Sequence, residues 1–244
     1  MLSPREERLY GRKRAHQLRK GLQCCLKTYV AEEARANILA LFVFPSPFAK
    51  IRLEIGFGAG ERLLTQAVAH PEIAFIGAEP FENGFAQAYR QAETFPNLFL
   101  YQGDGRALCA LLPENALDGV DILFPDPWPK RRHWKRRLVQ KTFLQELARL
   151  LKPAGEVHFA SDCLEYVASV IKEVEHLSEW SWSQEQRTTI SSLCTASPLS
   201  ATAKKILSQH SLFFARPDLW PMTRYEEKAH MQGRSCCYLS FRKV

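Results

Sequence analysis

The stretch LEIGFGAGE, from Leu53 to Glu61, decides how the rest of the chain is read. Ile51 to Ile55 is a short apolar run with β-branched residues, the pattern of a buried strand. Three glycines follow at alternate positions, Gly56, Gly58 and Gly60, and Arg62 to Ala69 then takes on helical character. Strand, glycine-rich turn, helix is how a nucleotide-binding α/β fold opens. Glycines let the backbone approach a ligand closely and reach φ values closed to other residues. The spacing is not the dinucleotide pattern G-x-G-x-x-G, whose bare N–H groups suit a pyrophosphate. Here an acid, Glu54, stands two residues ahead of G-x-G-x-G. That suits a cationic ligand with an amino group, such as S-adenosylmethionine.

Outward from this turn, strands and helices alternate. Strands are predicted over residues 74–78, 98–101, 119–124 and 156–160, and helices over 82–94, 106–112 and 139–151. Residues 153–155 (Pro-Ala-Gly) read as a turn, and Asp162 as the cap of a helix running to about His176. Trp180 and Trp182 start a late strand. Residues 191–203, rich in Ser, Thr and Ala, read as a loop, and Cys236 to Phe241 as a last antiparallel strand at the sheet edge. Upstream, residues 22–41 read as helical, closed by Pro45 and Pro47. The alternation demands a Rossmann-like doubly wound α/β sheet, mostly parallel, with an antiparallel C-terminal strand. Two parts are expected: a basic arm with a helical extension over 1–50, and the sheet domain over 51–244.

In such sheets ligands sit at the carboxyl ends of the strands. Glu54, Glu79, Asp104, Asp126 and Asp162 all fall there. Each has a bland alternative: Asp104 as a turn residue, Asp162 as a helix cap, Glu79 as a solvated strand end. Together they point to one binding site. Glu79 lies about 20 residues beyond the glycine turn, where an acid accepts ribose hydroxyls. Asp104 is placed to recognise an adenine amino group.

The segment FPDPWPKRRHWKRR, Phe124 to Arg137, carries the most specific chemistry. Prolines on both sides hold Asp126 in an extended, stiff backbone. Trp128 offers a flat face for a purine. The cations Lys130, Arg131, Arg132, Lys135, Arg136 and Arg137 follow, with His133 and Trp134 among them. A charge run alone can be a solvated helix face. One directly after an acid, proline and aromatic turn reads as a phosphate-contacting surface for RNA.

Composition agrees. A length of 244 residues with 46% apolar residues supports a sizeable core. Lys and Arg number 33 against 26 acids, a net +7 with pI near 9.1, which favours a polyanionic partner. No apolar run approaches the roughly 18 residues a membrane span needs. The basic N-terminus, with Arg5, Arg8, Arg12, Lys13, Arg14, Arg19 and Lys20, is either a solvated arm or one that touches phosphates. Gln23, Lys27 and the Glu32–Arg35 cluster break any signal-peptide core. Seven cysteines without a C-x-x-C favour reduced thiols in a cytoplasmic protein, with no disulfide framework and no metal.

With these residues in place, the chain resembles the bacterial tRNA (guanine-N7)-methyltransferase family from about Leu9 to its end. The resemblance rests on LEIGFGAGE, FIGAEPFENG, GDGRAL, LFPDPWPKRRHWKRRLVQ, LKPAGEVHFASD and TRYEEKAHMQGR. The proline-tryptophan basic block and the final T-x-Y-E are its most specific parts. It implies a class I methyltransferase sheet, with S-adenosylmethionine held by Glu54, Gly56, Gly58, Gly60, Glu79, Asp104 and Asp126. It implies catalysis by Asp126, and guanosine contacts from Lys130, Asp162, Thr223, Arg224, Tyr225 and Glu226. RNA would meet Arg132, His133, Trp134, Lys135, Arg136 and Arg137. The product would be 7-methylguanosine at position 46 of the tRNA variable loop, made by a monomer or homodimer. Residues 190–213 form a longer segment than the family usually has. Two other readings stand beside this one. The first is methylation of an exocyclic amine, since Asp126-Pro127-Trp128 is similar to the acid-Pro-Pro-aromatic turn of amino methyltransferases. The second is an RNA-binding module without catalysis.

Overall fold

The computed structural model describes residues 20–43, 45–92, 94–183, 199–209, 216 and 220–244. The basic arm before Lys20 and most of the 190–213 segment lie outside these. Helices α1 (Lys20–Thr28) and α2 (Ala31–Ala40) precede β1 (Lys50–Ile55), α3 (Glu61–Ala69), β2 (Ile73–Glu79), α4 (Glu82–Ala92) and β3 (Leu98–Gln102). Then come α5 (Gly105–Cys109), β4 (Leu117–Leu123), α6 (Lys141–Leu150), β5 (Leu151–Ser161), α7 (Leu164–Glu175), β6 (Trp180–Trp182), α8 (Ala201–Gln209), α9 (Arg224–Met231) and β7 (Cys237–Lys243).

The strands form one sheet in the order β3-β2-β1-β4-β5-β7-β6. β3, β2, β1, β4 and β5 are parallel, and β7 is antiparallel to both β5 and β6. The chain reverses its direction of winding between β1 and β4, so a crevice opens at their carboxyl ends.

Alternate residues on each strand serve two different faces. Ala74, Ile76 and Ala78 of β2 join the main core with Leu108, Phe143, Leu144, Leu147, Val167 and Val170. Phe75, between them, joins a second core with Phe57, Leu63, Phe85 and Ala88. Helices therefore cover both faces of the sheet. Ile38 of α2 and Leu41 sit in the main core, so the helical extension is packed on the same body as the sheet.

Three expectations need correction. The helical stretch over 22–41 is two helices, broken at Tyr29–Val30. At the break the Tyr29 ring packs edge-on against Phe85 at 4.8 Å and Tyr89 at 5.4 Å. Its hydroxyl accepts the Gln102 N–H at 2.9 Å, which fixes the turn against the end of β3. The last strand is not at the edge. β6 covers it, with the rings of Trp180 and Trp182 at 5.2 and 5.9 Å from Phe241. The loop reading over 191–203 ends early, since α8 begins at Ala201; residues 191–198 lie outside the described residues. The Pro153–Gly155 turn is present as a break in pairing. The register jumps from Leu117↔Leu151 to Gly119↔Glu156, with Ala154 at φ 62°.

Candidate active site

The glycine turn forms as the spacing demands. Gly56, Gly58 and Gly60 have φ of 81°, 61° and 84°, all in the left-handed region that disfavours a Cβ. α4 lies directly against this turn. A Cβ on Gly84 would strike the Gly58 carbonyl oxygen, and one on Gly60 would lie 2.7 Å from the Ala88 Cβ. The turn is also held by a side chain. Glu79, at the end of β2, accepts the Gly58 N–H on Oε2 and the Phe81 N–H on Oε1, both at 2.7 Å. Burial pushes its carboxyl up to about 7, although those two N–H groups favour the ionised form.

Beyond the turn lies a cavity of about 610 Å³, at the carboxyl ends of β1, β2 and β4. Gly56, Glu79, Asp104, Asp126, Trp128, Arg136 and Tyr225 line it, together with apolar Ile55, Phe81, Leu123 and Phe124. Asp126 stays open to solvent, yet partial desolvation at the cavity wall raises its carboxyl above the usual value. Phe124 and Trp128, two residues either side of Asp126, have φ of 52° and 42°. Non-glycine residues pay for this conformation, and such outliers cluster where geometry is functional. Asp104 caps α5, accepting the Arg106 N–H at 2.9 Å, and pairs with the Arg106 guanidinium at 2.7 Å. The turn role and the cavity role thus fall on one residue.

Glu54 lines a smaller adjoining hollow of about 150 Å³, with Thr223, Arg224 and Tyr225 across from it. Its carboxylate accepts Arg62 Nη1 at 2.7 Å, and Arg62 Nη2 lies 3.2 Å from Asp121. Asp121 also meets Arg52 and His158, each at 2.8 Å. Glu54, Asp121 and His158 are register partners on β1, β4 and β5, so one row of the sheet is charged. Burial works to raise the Asp121 carboxyl. Arg52, Arg62 and His158 outweigh it and hold that carboxyl well below the usual range. Glu54 thus lines the hollow while its carboxylate is held by Arg62. Trp220 closes the cluster, with the Arg62 guanidinium 4.2 Å from its ring centre. Sequence reading missed this network. The available signals were an acid, Asp121, inside the apolar run GVDIL, and an arginine, Arg62, two residues after the last glycine of the turn.

Other predicted residues separate. Asp162 is ion-paired with Arg234 and lines neither cavity; the cap of α7 is Cys163, one residue on. Thr223 caps α9, accepting the Glu226 N–H at 3.2 Å, and Arg224 pairs with Glu61 at 2.5 Å. Tyr225 lines both cavities and comes within 3.6 Å of where a Gly58 Cβ would stand. Glu226 turns inward instead, only 3% exposed, with Arg216 at 3.7 Å. The basic block folds as a 3₁₀ turn over Arg131–Arg136, with Lys130 at its start. Lys130, Arg131, Arg132 and Lys135 are exposed, His133 and Trp134 partly so, and the Arg136 guanidinium lies 5.0 Å over Trp128 at the cavity wall. Arg137 is 3% exposed and faces into the protein, which corrects its assignment to an RNA surface.

Residues 48–239 match the family described as "Putative methyltransferase". The chain is 38% identical over 247 residues to the tRNA (guanine-N(7)-)-methyltransferase of Rhizobium meliloti, covering 98% of this chain and 96% of the relative. It is 39% identical over 242 residues to that of Azorhizobium caulinodans, covering 96% and 94%. The chain belongs to the tRNA (guanine-N(7)-)-methyltransferase family. Among solved structures, the 16S rRNA methyltransferase KamB superposes with a TM-score of 0.52 at 10% identity, over 87% of this chain and 92% of that one. That likeness is one of fold. Family membership gives the sheet its place as a class I methyltransferase sheet. It leaves the roles of single residues to be argued from the cavity. Among the described residues, no cluster of His, Cys, Asp and Glu fits a metal, and no helix is long and apolar enough to cross a membrane.

Proposed function

We propose that this chain transfers a methyl group from S-adenosylmethionine to N7 of a guanosine in tRNA, at position 46 of the variable loop. The observation that carries the reading is a single cavity with three carboxylates, Glu79, Asp104 and Asp126, and a basic turn whose Arg136 lines it. The donor set fits the methyl donor. A hollow of about 610 Å³ falls within the usual 300–1,000 Å³ of a small-molecule site. Its floor is backbone at a glycine turn, its walls are apolar, and its charged groups include acids suited to a sulfonium and a ribose. The bound donor supplies an electrophilic methyl group on a positively charged sulfur.

The residues then divide the work. Glu79 accepts ribose hydroxyls while its own position is fixed by the Gly58 and Phe81 N–H groups. Asp104 meets the adenine side. Gly56, Gly58 and Gly60 let the backbone approach, and Glu54 supports the turn through Arg62. Guanine N7 carries a free lone pair, so no general base is needed, and the protein acts mainly by positioning. Asp126, fixed by its left-handed neighbours, accepts from guanine N1–H or the 2-amino group and stabilises the ring as it becomes cationic. Tyr225, Thr223 and Arg224 face the guanosine from the other side, and Lys130, at the start of the basic turn, reaches toward it. Arg132, His133, Trp134, Lys135 and Arg136 form the RNA surface.

Incubation with unmodified tRNA and labelled S-adenosylmethionine, followed by nucleoside analysis and mapping of the labelled position, tests this. Label in 7-methylguanosine of the variable loop is expected. Label on an exocyclic amine would replace the reading by the first alternative, and no transfer together with no donor binding by calorimetry would replace it by the second.

A further inference from the structure

Arg137 ends a run of cations, yet it behaves unlike the others. Its guanidinium is a buried strut between two parts of the fold. Nε donates to the Pro127 carbonyl at 2.9 Å, one residue from Asp126. Nη1 donates to Ser169 Oγ at 2.9 Å and to the Glu165 carbonyl at 3.3 Å, both on α7. The Ser169 hydroxyl in turn donates to the Tyr166 carbonyl at 2.8 Å, which aims its free lone pair at Arg137. The guanidinium lies over two rings, Trp134 at 4.6 Å and Tyr166 at 4.7 Å from the ring centres. Tyr166 is itself fully buried, and its hydroxyl accepts the Val139 N–H at 2.9 Å.

This arrangement answers a mechanical question. The Phe124–Trp128 loop holds two non-glycine residues at positive φ, a state that persists only when surroundings over-determine it. On one side Phe124 is secured by its N–H to the Ala160 carbonyl at 2.8 Å and by its ring against Tyr238. On the other side the partly buried hydrogen bond to the Pro127 carbonyl comes from Arg137. A planar fork with donors at fixed angles bridges two carbonyls and a hydroxyl at once; an ammonium on a flexible stem does not.

We propose that Arg137 is a positioning residue for methyl transfer, fastening the Asp126 loop to α7 without touching tRNA. The proposal deepens the function given above and rests on Asp126 acting in that reaction. Its test pairs Arg137→Lys, which keeps the charge, with Ser169→Ala, which removes one anchor on the α7 side. For Arg137→Lys, kcat is expected to fall about 10²-fold, the scale set by a misplacement of about 1 Å. The tRNA dissociation constant and its salt dependence should stay as in the wild type. Amide hydrogen exchange at Phe124, Asp126 and Trp128, the loop residues that carry an N–H, should quicken in both variants, and Ser169→Ala should lose kcat several-fold. A phosphate contact would behave otherwise, weakening tRNA binding and lowering the salt slope by about 0.7–0.9 while kcat holds. That result, or unchanged exchange over 124–128 in either folded variant, overturns the proposal. If Arg137→Lys does not fold, Ser169→Ala decides alone, by loss or retention of kcat and protection. If the wild type transfers no methyl to guanosine N7, the function reading fails by itself. The exchange measurement still decides whether Arg137 holds the loop.

Discussion

The two walls of the cavity are built in opposite ways. The wall from β1 and β2 is a backbone structure: three left-handed glycines, a helix pressed on them at Gly84, and a carboxylate accepting two N–H groups. The wall after β4 is a side-chain structure. Left-handed Phe124 and Trp128 are held by Ala160, Tyr238 and Arg137. The first wall needs particular residue types at particular spacings, so its sequence announces it. The second uses ordinary residues whose roles depend on which way they face. Arg136 and Arg137 are neighbours of one type, and one lines the cavity while the other is buried.

The largest effect expected on the first wall comes from Arg62→Ala. It leaves Glu54 and Asp121 buried with one fewer cation, and removing one partner of a buried pair costs about 3–5 kcal/mol. Denaturant unfolding would measure it, and a loss under about 1 kcal/mol would show that the turn does not lean on this network. Next is Gly84→Ala. The added methyl meets the Gly58 carbonyl, so about 1–3 kcal/mol of stability and much of the donor affinity should go. Retained affinity by calorimetry would mean that α4 can back away from the turn.

The third prediction concerns pH and Glu79. Its folded carboxyl is raised to about 7, so between the ordinary value and 7 the folded state holds more proton than the unfolded one. Stability from this group is therefore present at low pH and falls as pH rises through that window. The slope is at most about 1.4 kcal/mol per pH unit. Donor affinity should move the other way, rising toward pH 8 as the carboxylate becomes a full acceptor for ribose. Glu79→Gln should flatten both trends, and a variant with wild-type pH dependence would point to another titrating group. The smallest effect belongs to the rim. Arg132→Ala or Lys135→Ala should leave turnover at saturating tRNA unchanged. Each should lower the salt slope of binding by about 0.7–0.9, and an unchanged slope would remove that residue from the RNA surface.

The sequence made the α/β alternation legible because apolar periods and glycine or proline breaks mark each element. It placed Glu79, Asp104 and Asp126 at strand ends, and the structure brings those three to one cavity. It did not separate Asp162, which a salt bridge with distant Arg234 draws away, or Glu226, which faces Arg216 inside the protein. Glu226 turns on which face of α9 is buried, and the Asp162 partner lies far along the chain, which local pattern cannot encode. The charged row Glu54–Asp121–His158 was hidden for the same reason. It exists only once β1, β4 and β5 are paired in register.

Asp126 lines the cavity and carries the proposed reaction. The most direct measurement is methyl transfer to unmodified tRNA by the wild type and by Asp126→Ala, read as labelled 7-methylguanosine. The account predicts that the variant still folds and binds tRNA, yet loses about 10²–10³ in turnover, as when one fixed stabilising group is removed from a transition state. Turnover close to the wild type would contradict it.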